Sequence, residues 1–519
     1  MMNPVRFALL ISSAIFFCGA ISCSHVAPTN QAGETLPLPG APRINGARVF
    51  GVRPGRPFLF MIPATGDDPI TFSAAGLPNG LTLDAHSGRI TGTAPALEGD
   101  CRVMLFATNS LGQDDKSLVI KVGEQVCLTP PMGWNSWNVF AESVTEDEVR
   151  AMAHAMVDSG LSKHGWTFIN IDDTWQGQRG GEFNGLQGNS KFPDMKGLCD
   201  EIHSLGLKAG IYSTPWITSY AGYPGGSADN PGGAWTKWIS TQPSGQDEKN
   251  PRRAVGKYSF AREDAQQWAA WGFDYLKYDW YPNDVPQTRE MHDALEASGR
   301  DFVLSLSNTA PFSGAADWAR LANCWRTTGD IRDTWESMSR NGFSQNRWVP
   351  FGGPGHWNDP DMLVVGMVGW GPQLHPTRLS HDEQYTHISL WCLLSAPLLI
   401  GCDLTHLDDF TLHLLTNDEV LAIDQDALGK QAWRISQEGT TEVWAKPLSD
   451  GTWAAGLFNL GQAQAPVTLH FDAIGVGGKQ NVRELWQQKD LGEADNVFTA
   501  NVPSHGVVLL KIGTPASAK

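Results

Sequence analysis

Acidic residues stand at the ends of several apolar segments in the middle of this 519-residue chain. The segments read as strands, and the carboxylates that end or follow them are Asp172 and Asp173 in FINIDD, Asp279 in YLKYD, Asp330 after CWRTTG, and Asp359 and Asp361 in HWNDPDM. One such Asp is commonly a helix N-cap. Their repetition favours a site that binds hydroxyl groups or performs acid–base chemistry, with a carboxylate-held divalent metal as the rival interpretation.

Two cations accompany these carboxylates. Lys277 precedes Asp279 by two residues, so both side chains lie on the same side of a strand. The ammonium group is expected to lower the pKa of Asp279 and keep it ionised, as a nucleophile requires. Arg326 is likewise expected on the same side as Asp330. Cations among carboxylates favour sugar hydroxyls over a metal shell, and glycoside hydrolysis uses two carboxyl groups.

The elements that must position these residues alternate between strands and helices. Eight strand candidates separated by amphipathic helices over roughly 300 residues predict a parallel (β/α)8 TIM barrel, which we place at residues 127–424. The helix Thr145–Asp158 has the Thr and Glu spacing of a capping box. A doubly wound sheet is the alternative, but no Gly-rich phosphate motif follows any strand. A barrel gathers the strand-end carboxylates at one mouth.

The regions on either side of the barrel are predicted to be all β. Residues 43–126 contain short strands separated by turn residues, which predicts a small β-sandwich that acts as a spacer. The stretch GLPNGLTLD followed by SGRITGT resembles the immunoglobulin-like modules of bacterial surface proteins. Residues 425–519 are predicted to form a closing antiparallel β domain. The chain is therefore expected to be a multidomain protein.

The N-terminus predicts export. Arg6 precedes an uncharged run from Phe7 to Ile21, which is typical of a signal peptide within residues 1–23. Both lipid anchoring at Cys23 and plain cleavage nearby agree with this segment, and residues 24–42 are predicted to form a linker. No later apolar run is long enough to span a membrane. The expected location is the periplasm, the cell surface or the medium.

Composition excludes one class of partner and leaves others open. The formal charge of -17 argues against nucleic-acid binding. The 21 tryptophans suit either aromatic cores or sugar binding. Six cysteines lie beyond the export segment, where disulfides and buried thiols are equal alternatives. No spacing predicts a zinc site or a cofactor.

The chain resembles glycoside hydrolase family 27, the α-galactosidase and α-N-acetylgalactosaminidase family, from Pro130 to about Asp403. The motifs that carry the resemblance occur in the family's order: PPMGWNSWN, INIDDTW, GLKAGIY, LKYD, WRTTGDIRDTW and WNDPDMLVVG. The resemblance implies a retaining exo-α-glycosidase that acts on oligosaccharides or glycans bearing terminal α-linked galactose, without a cofactor. It implies that Asp279 is the nucleophile and that Asp330 is the acid and base.

The resemblance also implies the sugar-binding residues. Asp172 and Asp173 would hold the 4- and 6-hydroxyls, and Lys277 and Arg326 would bind ring hydroxyls near the reacting carbon. The remaining implied contacts are a stacking ring and two pocket-lining residues, namely Trp137, Tyr212 and Asp361.

Two positions depart from the family pattern. Tyr220 and Tyr281 stand where members commonly have a disulfide, so the loop after the third strand is expected to be held by packing. Ser307 and Ala310 stand where the substituent at the sugar's 2-position is recognised, and both are small. An α-N-acetylgalactosaminidase therefore stays an alternative, and a sugar-binding protein without catalysis is an alternative of another class.

Overall fold

An eight-stranded parallel sheet forms the centre of the protein. The structure, a computed structural model, describes residues 40–234 and 253–515. The strands of this sheet are β1 (Met132–Asn135), β2 (Phe168–Asn170), β3 (Lys208–Ser213), β4 (Tyr275–Asp279), β5 (Val303–Ser307), β6 (Cys324–Arg326), β7 (Trp357–Asp359) and β8 (Leu398–Ile400). Neighbours pair in chain order, β8 pairs with β1, and a bridge between Leu363 and Ile400 closes the sheet. The prediction of a (β/α)8 barrel is confirmed.

Helices connect and surround these strands. They are α1 (Trp137–Phe140), α2 (Glu146–Asp158), α3 (Met195–Ser204), α4 (Ala261–Trp271), α5 (Val285–Ala297), α6 (Ala315–Leu321), α7 (Trp335–Phe343), α8 (His381–Leu394), α9 (Asp409–Thr416) and α10 (Asp418–Asp424). The predicted capping box begins α2: the Thr145 side chain accepts from the Glu148 amide, and Glu148 accepts from the Thr145 amide. Short antiparallel pairs lie in the loops, at Gln176–Gly180 with Gly185–Gly188, Ser227–Ala228 with Tyr258–Ser259, and Met367–Val368 with His375–Pro376.

Side-chain alternation along the strands separates two environments. In β4, Leu276 and Tyr278 join the core between sheet and helices, whereas Tyr275 lies inside the barrel with Phe168 and Trp357. Because side chains alternate along a strand, Lys277 and Asp279 also point into the barrel, above this apolar layer. The amino-terminal end of the barrel is therefore filled with rings, and the carboxyl end carries the charges.

The N-terminal domain is a β-sandwich. One sheet contains Val49–Val52, Gly112–Val122, Gly99–Asn109 and Thr71–Ala75, and the other contains Pro57–Met61, Arg89–Thr93 and Leu81–Leu83. A further pair joins Arg43–Ile44 to Ala64–Thr65. Apolar residues of both sheets form one separate core. This is the predicted immunoglobulin-like architecture.

This sandwich is fastened to the barrel. The Arg53 amide donates to Asp301 at 2.9 Å, and its guanidinium, 16% exposed, contacts Glu296 at 2.8 Å. Arg89 donates to the carbonyl of Ser204 at 2.7 Å. Asp301 lies two residues before β5 and Ser204 ends α3, so the contacts lie at the amino-terminal end of the strands. The module is thus docked against the barrel, at the end opposite the strand-end carboxylates.

The C-terminal domain is antiparallel. Its larger sheet contains Trp433–Glu438, Thr441–Pro447, Trp453–Asn459, Val507–Ile512, Lys479–Glu484 and Lys489–Asp495, and a second sheet contains Ala465–His470 and Val497–Val502. Its contact with α8 is partly polar. Lys446 donates to the Cys392 carbonyl and the Ser395 hydroxyl, and the Trp486 indole donates to Ser389.

The structure shows where the tryptophans and cysteines of the described residues lie. Most of the largest fully buried side chains are tryptophans, so the tryptophan content reflects chiefly the core. The six cysteines of the described residues are free thiols. Among residues 40–234 and 253–515, no helix has the length and apolar character needed to cross a bilayer. The predicted signal peptide, Cys23 and most of the linker lie outside the described residues.

Candidate active site

Strand β4 delivers Asp279 into the mouth of the barrel. Asp279 is 7% exposed, and its Oδ1 has no hydrogen-bond partner within the described chain. Lys277 Nζ lies 2.8 Å from Asp172 Oδ2, so the ion pair of this lysine is with the segment that follows β2, two strands away in the sheet. A buried carboxylate with an unpaired oxygen is a group poised to contact another molecule.

The ionisation of Asp279 differs from our expectation. Burial raises its pKa to about 7, against the lowering effect of Lys277, and the nearby charges of Asp330 and Asp172 raise it further. Lys277 lowers the pKa of Asp279 as expected, but burial outweighs this effect, so the net shift is opposite to the one that we predicted. Desolvation dominates because the charged form loses its water when the barrel closes around it.

Asp330 lies beyond the end of β6, on the rim. Strand β6 ends at Arg326, so the predicted same-side alternation does not extend to Asp330. The two residues nevertheless meet, since Arg326 Nη2 lies 3.2 Å from Asp330 Oδ1 across the turn. The Asp330 side chain is 56% exposed, whereas that of Arg326 is 4% exposed. Partial burial raises the pKa of Asp330, but Arg326 and Lys277 outweigh it, and the net pKa is lowered.

Asp361 supports Arg326 from the loop after β7. Its Oδ2 lies 2.8 Å from Arg326 Nη2 and accepts the amide of Ile331 at 2.7 Å. Asp361 has φ 88°, a conformation that non-glycine residues rarely adopt. Its amide donates to Asp359, whose pKa is raised to about 6 by burial. Because Ile331 follows Asp330 directly, Asp361 fixes the segment that carries the rim carboxylate.

The two carboxylates after β2 have different surroundings. Asp172, 2% exposed, pairs with Lys277, and its amide donates to the Ser136 hydroxyl. Asp173 accepts from Ala221 at 2.9 Å and from Gln176 at 3.0 Å, and burial raises its pKa to about 6. Asp173 therefore fastens the loop after β3 to β2, and Asp172 faces the site.

Aromatic residues line the remaining wall. Tyr212 is 1% exposed and its hydroxyl has no partner in the described residues. Its ring centroid lies 5.8 Å from Lys277 Nζ. Trp137 begins α1 and packs partly buried against the apolar layer inside the barrel. Both predicted residues thus lie at the barrel interior.

The loop after β5 lies between the strands that carry Asp279 and Arg326. The Ser307 carbonyl accepts from the Trp280 amide at 3.2 Å and from Asn283 at 2.9 Å. The Ala310 amide donates to the Arg326 carbonyl at 2.7 Å. Ser307 and Ala310 are each 2% exposed, so this part of the wall is formed by two small buried residues.

Packing holds the loop after β3, as expected from its missing cysteine. The Tyr220 ring lies 5.1 Å from the Trp216 ring, and the Arg253 guanidinium lies 4.8 Å from the same tyrosine. Arg253 also donates to the Tyr220 carbonyl at 2.9 Å. Tyr281, the other position of the missing disulfide, is 60% exposed.

Two residues that support the site were not predicted from the sequence. The Trp391 indole donates to the Asp361 carbonyl at 2.6 Å, and His387 accepts the Val364 amide at 3.1 Å. Burial lowers the pKa of His387 to about 3, so its ring is a neutral acceptor. Helix α8 is buried almost all round, so no amphipathic pattern marks the face that supports the site. Their i, i+4 spacing was the available signal.

Comparison with known proteins agrees with this geometry. The family model described as alpha galactosidase A matches residues 129–237 and 249–426. The alpha galactosidase C-terminal beta sandwich domain matches residues 438–512, and an Ig-domain model matches residues 41–123.

Individual relatives extend the comparison. Alpha-galactosidase 2 of Arabidopsis thaliana is 39% identical over 389 residues, covering 73% of this chain and 88% of that protein. Alpha-galactosidase A of Cellvibrio japonicus is 35% identical over 428 residues, covering 75% of this chain and 93% of that protein. A solved structure from Bacteroides fragilis has a TM-score of 0.81 and 33% identity, covering 91% of this chain and 98% of that chain. The chain is therefore a glycoside hydrolase and belongs to the α-galactosidase family.

Proposed function

We propose that this enzyme is a retaining, exo-acting α-galactosidase that forms a covalent glycosyl intermediate on Asp279. The observation that carries the proposal is the pairing of two unlike carboxylates at one mouth. Asp279 is buried with a free oxygen, and Asp330 is a rim carboxyl held by Arg326. A retaining glycosidase needs one carboxylate to attack and a second to exchange a proton.

The proposed reaction proceeds in two displacement steps. The Asp279 carboxylate attacks the anomeric carbon, the glycosidic C–O bond breaks, and Asp330 gives its proton to the departing oxygen. In the second step Asp330 takes a proton from water, the water oxygen attacks the anomeric carbon, and Asp279 is released. Each displacement inverts the carbon, so the configuration is retained overall.

The pKa directions of the two carboxyl groups bear on where their protons lie. The Asp279 pKa is about 7 and that of Asp330 is lowered, so the pair shares one proton across acidic to neutral pH. The raised pKa of Asp279 and the lowered pKa of Asp330 favour Asp279 as the holder of that proton. Catalysis uses the form with the proton on Asp330. Coupled carboxyls titrate as a pair, and hydrogen bonds from bound sugar hydroxyls to Asp279 favour its ionised form.

Charged groups around the pocket suit a neutral, hydroxyl-rich ligand. In our proposal Asp172 accepts from the sugar, Lys277 and Arg326 donate to it, and Trp137 covers its apolar face. Asp173, Tyr212 and Asp361 complete the wall, and no cofactor takes part.

The small wall formed by Ser307 and Ala310 favours one alternative substrate. Small side chains at these two positions would hinder a larger substituent at the sugar's 2-position less than bulky side chains would. An α-N-acetylgalactosaminidase is therefore the second candidate. A panel of nitrophenyl α-galactoside and α-N-acetylgalactosaminide decides between them by the ratio of kcat/KM. We also propose export through residues 1–23, which fractionation of cells producing the full chain would test.

Azide rescue tests the two catalytic roles separately. With α-galactosyl fluoride, Asp279→Ala supplemented with azide is expected to yield β-galactosyl azide, because azide replaces the nucleophile and inverts the carbon once. Asp330→Ala with azide and a nitrophenyl α-galactoside is expected to yield α-galactosyl azide, because azide then attacks the covalent intermediate. A reversed stereochemical outcome, or full activity of Asp279→Ala without azide, would show that the roles are wrong.

A further inference from the structure

An exposed arginine beside the rim carboxylate has no role in the mechanism above. Arg332 follows Asp330 by two residues, and it is exposed. Its guanidinium carbon lies 4.9 Å from the centroid of the Trp370 ring. The Arg332 backbone amide donates to Ser337, but within residues 40–234 and 253–515 its side-chain N–H groups have no recorded acceptor. The planar Arg332 guanidinium, with its five N–H donors, thus lies over the Trp370 ring without a hydrogen-bond acceptor among these residues.

Backbone hydrogen bonds hold the segment that carries Trp370. Its amide donates to the Asn138 carbonyl at 3.0 Å, and the Gly371 amide donates to Val139 at 3.1 Å. Both acceptors lie in α1, the helix that begins with Trp137. The Trp370 ring packs partly buried against the main core, and its φ is 51°. The segment that carries this indole is therefore bound to α1, the helix whose first residue is the ring proposed to cover the galactose.

A buried carboxylate ties the two loops of the rim together. Asp333 is 0% exposed and accepts the backbone amide of Arg378 at 3.0 Å and its Nε at 3.2 Å. Arg378 follows the short hairpin whose tip carries Trp370. Arg332 and Trp370 therefore lie on two loops that Asp333 and Arg378 join, and the Arg332 guanidinium lies over the Trp370 ring.

The position of Asp330 determines what lies beside this guanidinium. A general acid must come within hydrogen-bond distance of the oxygen that it protonates. The group that leaves on that oxygen must therefore occupy the space that borders Asp330 on the solvent side. A sugar in that space presents adjacent hydroxyl oxygens, which a planar guanidinium can bind with two N–H groups.

We infer that Arg332, held by Trp370, binds the leaving sugar of the substrate. This inference rests on the proposed function, because it takes Asp330 as the acid. Arg332 would favour α-galactosides whose leaving group is itself a sugar over those with a small or apolar aglycone. Arg332 is a specificity residue outside the galactose pocket.

Substrates with and without a leaving sugar provide the test. α-Galactosyl fluoride has no leaving sugar and needs no proton to release fluoride. Melibiose and an α-1,3-linked galactobiose have one, and the faster of the two with the wild-type enzyme is used. Arg332→Lys retains the positive charge near Asp330 but loses the planar pair of donors. Arg347→Lys is the matched control. Arg347 lies in the connection between α7 and β7, and its guanidinium also lies 4.9 Å from an aromatic ring, that of Phe312.

Arg332→Lys is expected to lower kcat/KM for the disaccharide by about 10- to 100-fold, the range of a lost charged hydrogen bond. The kcat/KM for the fluoride is expected to change less than about threefold. Trp370→Leu should produce the same pattern, and Arg347→Lys should alter kcat/KM for neither substrate. Equal losses on both substrates, or no loss on either, would overturn the inference. Failure of the wild-type enzyme to cleave the fluoride would instead overturn the proposed function.

Discussion

Replacing Lys277 by Met removes the only ammonium group in the described residues that forms an ion pair with Asp172. The Asp172 side chain is 3% exposed and that of Lys277 is 15% exposed, so the pair is largely out of water. Met is close to Lys in length and leaves the apolar part of the side chain in place. The substitution therefore removes the positive charge with little change in packing, and it leaves the buried Asp172 carboxylate without an ion-pair partner.

The size of the effect follows from this burial. Removing one partner of a buried ion pair costs about 3–5 kcal/mol, because the remaining charge is neither solvated nor paired. For a domain of this size each kcal/mol lowers the unfolding midpoint by roughly 2 °C, which gives a fall of about 6–10 °C. Replacing both partners with neutral residues of similar shape costs far less. The double variant Lys277→Met with Asp172→Asn is therefore expected to recover most of the lost stability.

Calorimetric midpoints and nitrophenyl α-galactoside kinetics measure the two consequences separately. Lys196→Met is the matched control, since Lys196 pairs with Asp200 at 2.6 Å but both side chains are more than half exposed, at 56% and 59%. Such an exposed pair contributes about 0–1 kcal/mol. Activity should fall in Lys277→Met, because Lys277 lowers the pKa of Asp279 and its loss leaves the nucleophile less ionised. The double variant should be stable and still impaired.

Two outcomes would refute this reasoning. One is an unfolding midpoint of Lys277→Met that is no lower than that of Lys196→Met. This would mean that the Asp172 carboxylate does not depend on Lys277 for compensation of its charge. The other is a double variant as unstable as the single one, which would place the cost in packing rather than in charge.

The shared proton and the strained support loop give two further predictions. The kcat/KM for melibiose should fall as pH rises through about 7, because the Asp279–Asp330 pair then loses its single proton. For α-galactosyl fluoride the alkaline fall should be absent, and identical alkaline limbs would contradict the assignment. Trp391→Phe removes the donor 2.6 Å from the Asp361 carbonyl, leaving that group unpaired at a cost of about 1–3 kcal/mol. It should lower both the unfolding midpoint and kcat, and an unchanged kcat would show that Asp361 is held by other contacts.

The barrel was predictable because its evidence is local. An apolar run such as that before Asp279 and the capping box at Thr145 depend on a few adjacent residues, and the eight strands and their helices formed where those patterns indicated. The convergence of the carboxylates also followed from topology, since parallel strands end at one mouth.

Interactions between distant segments were not predictable. The sequence places Lys277 nearest to Asp279, yet its ion-pair partner is Asp172, which comes from the far side of β3. The support of Asp361 by Trp391 depends on how α8 packs against the barrel.

The sequence by itself determined which chemical groups this enzyme has and the order in which the barrel presents them. Tertiary structure decided their charge states and contacts: burial raises the Asp279 pKa to about 7, and the sandwich docks through Arg53 at the opposite end from the carboxylates. The physical reason is that desolvation and Coulomb interactions depend on distances through space. Those distances exist only after segments far apart in the chain have packed together.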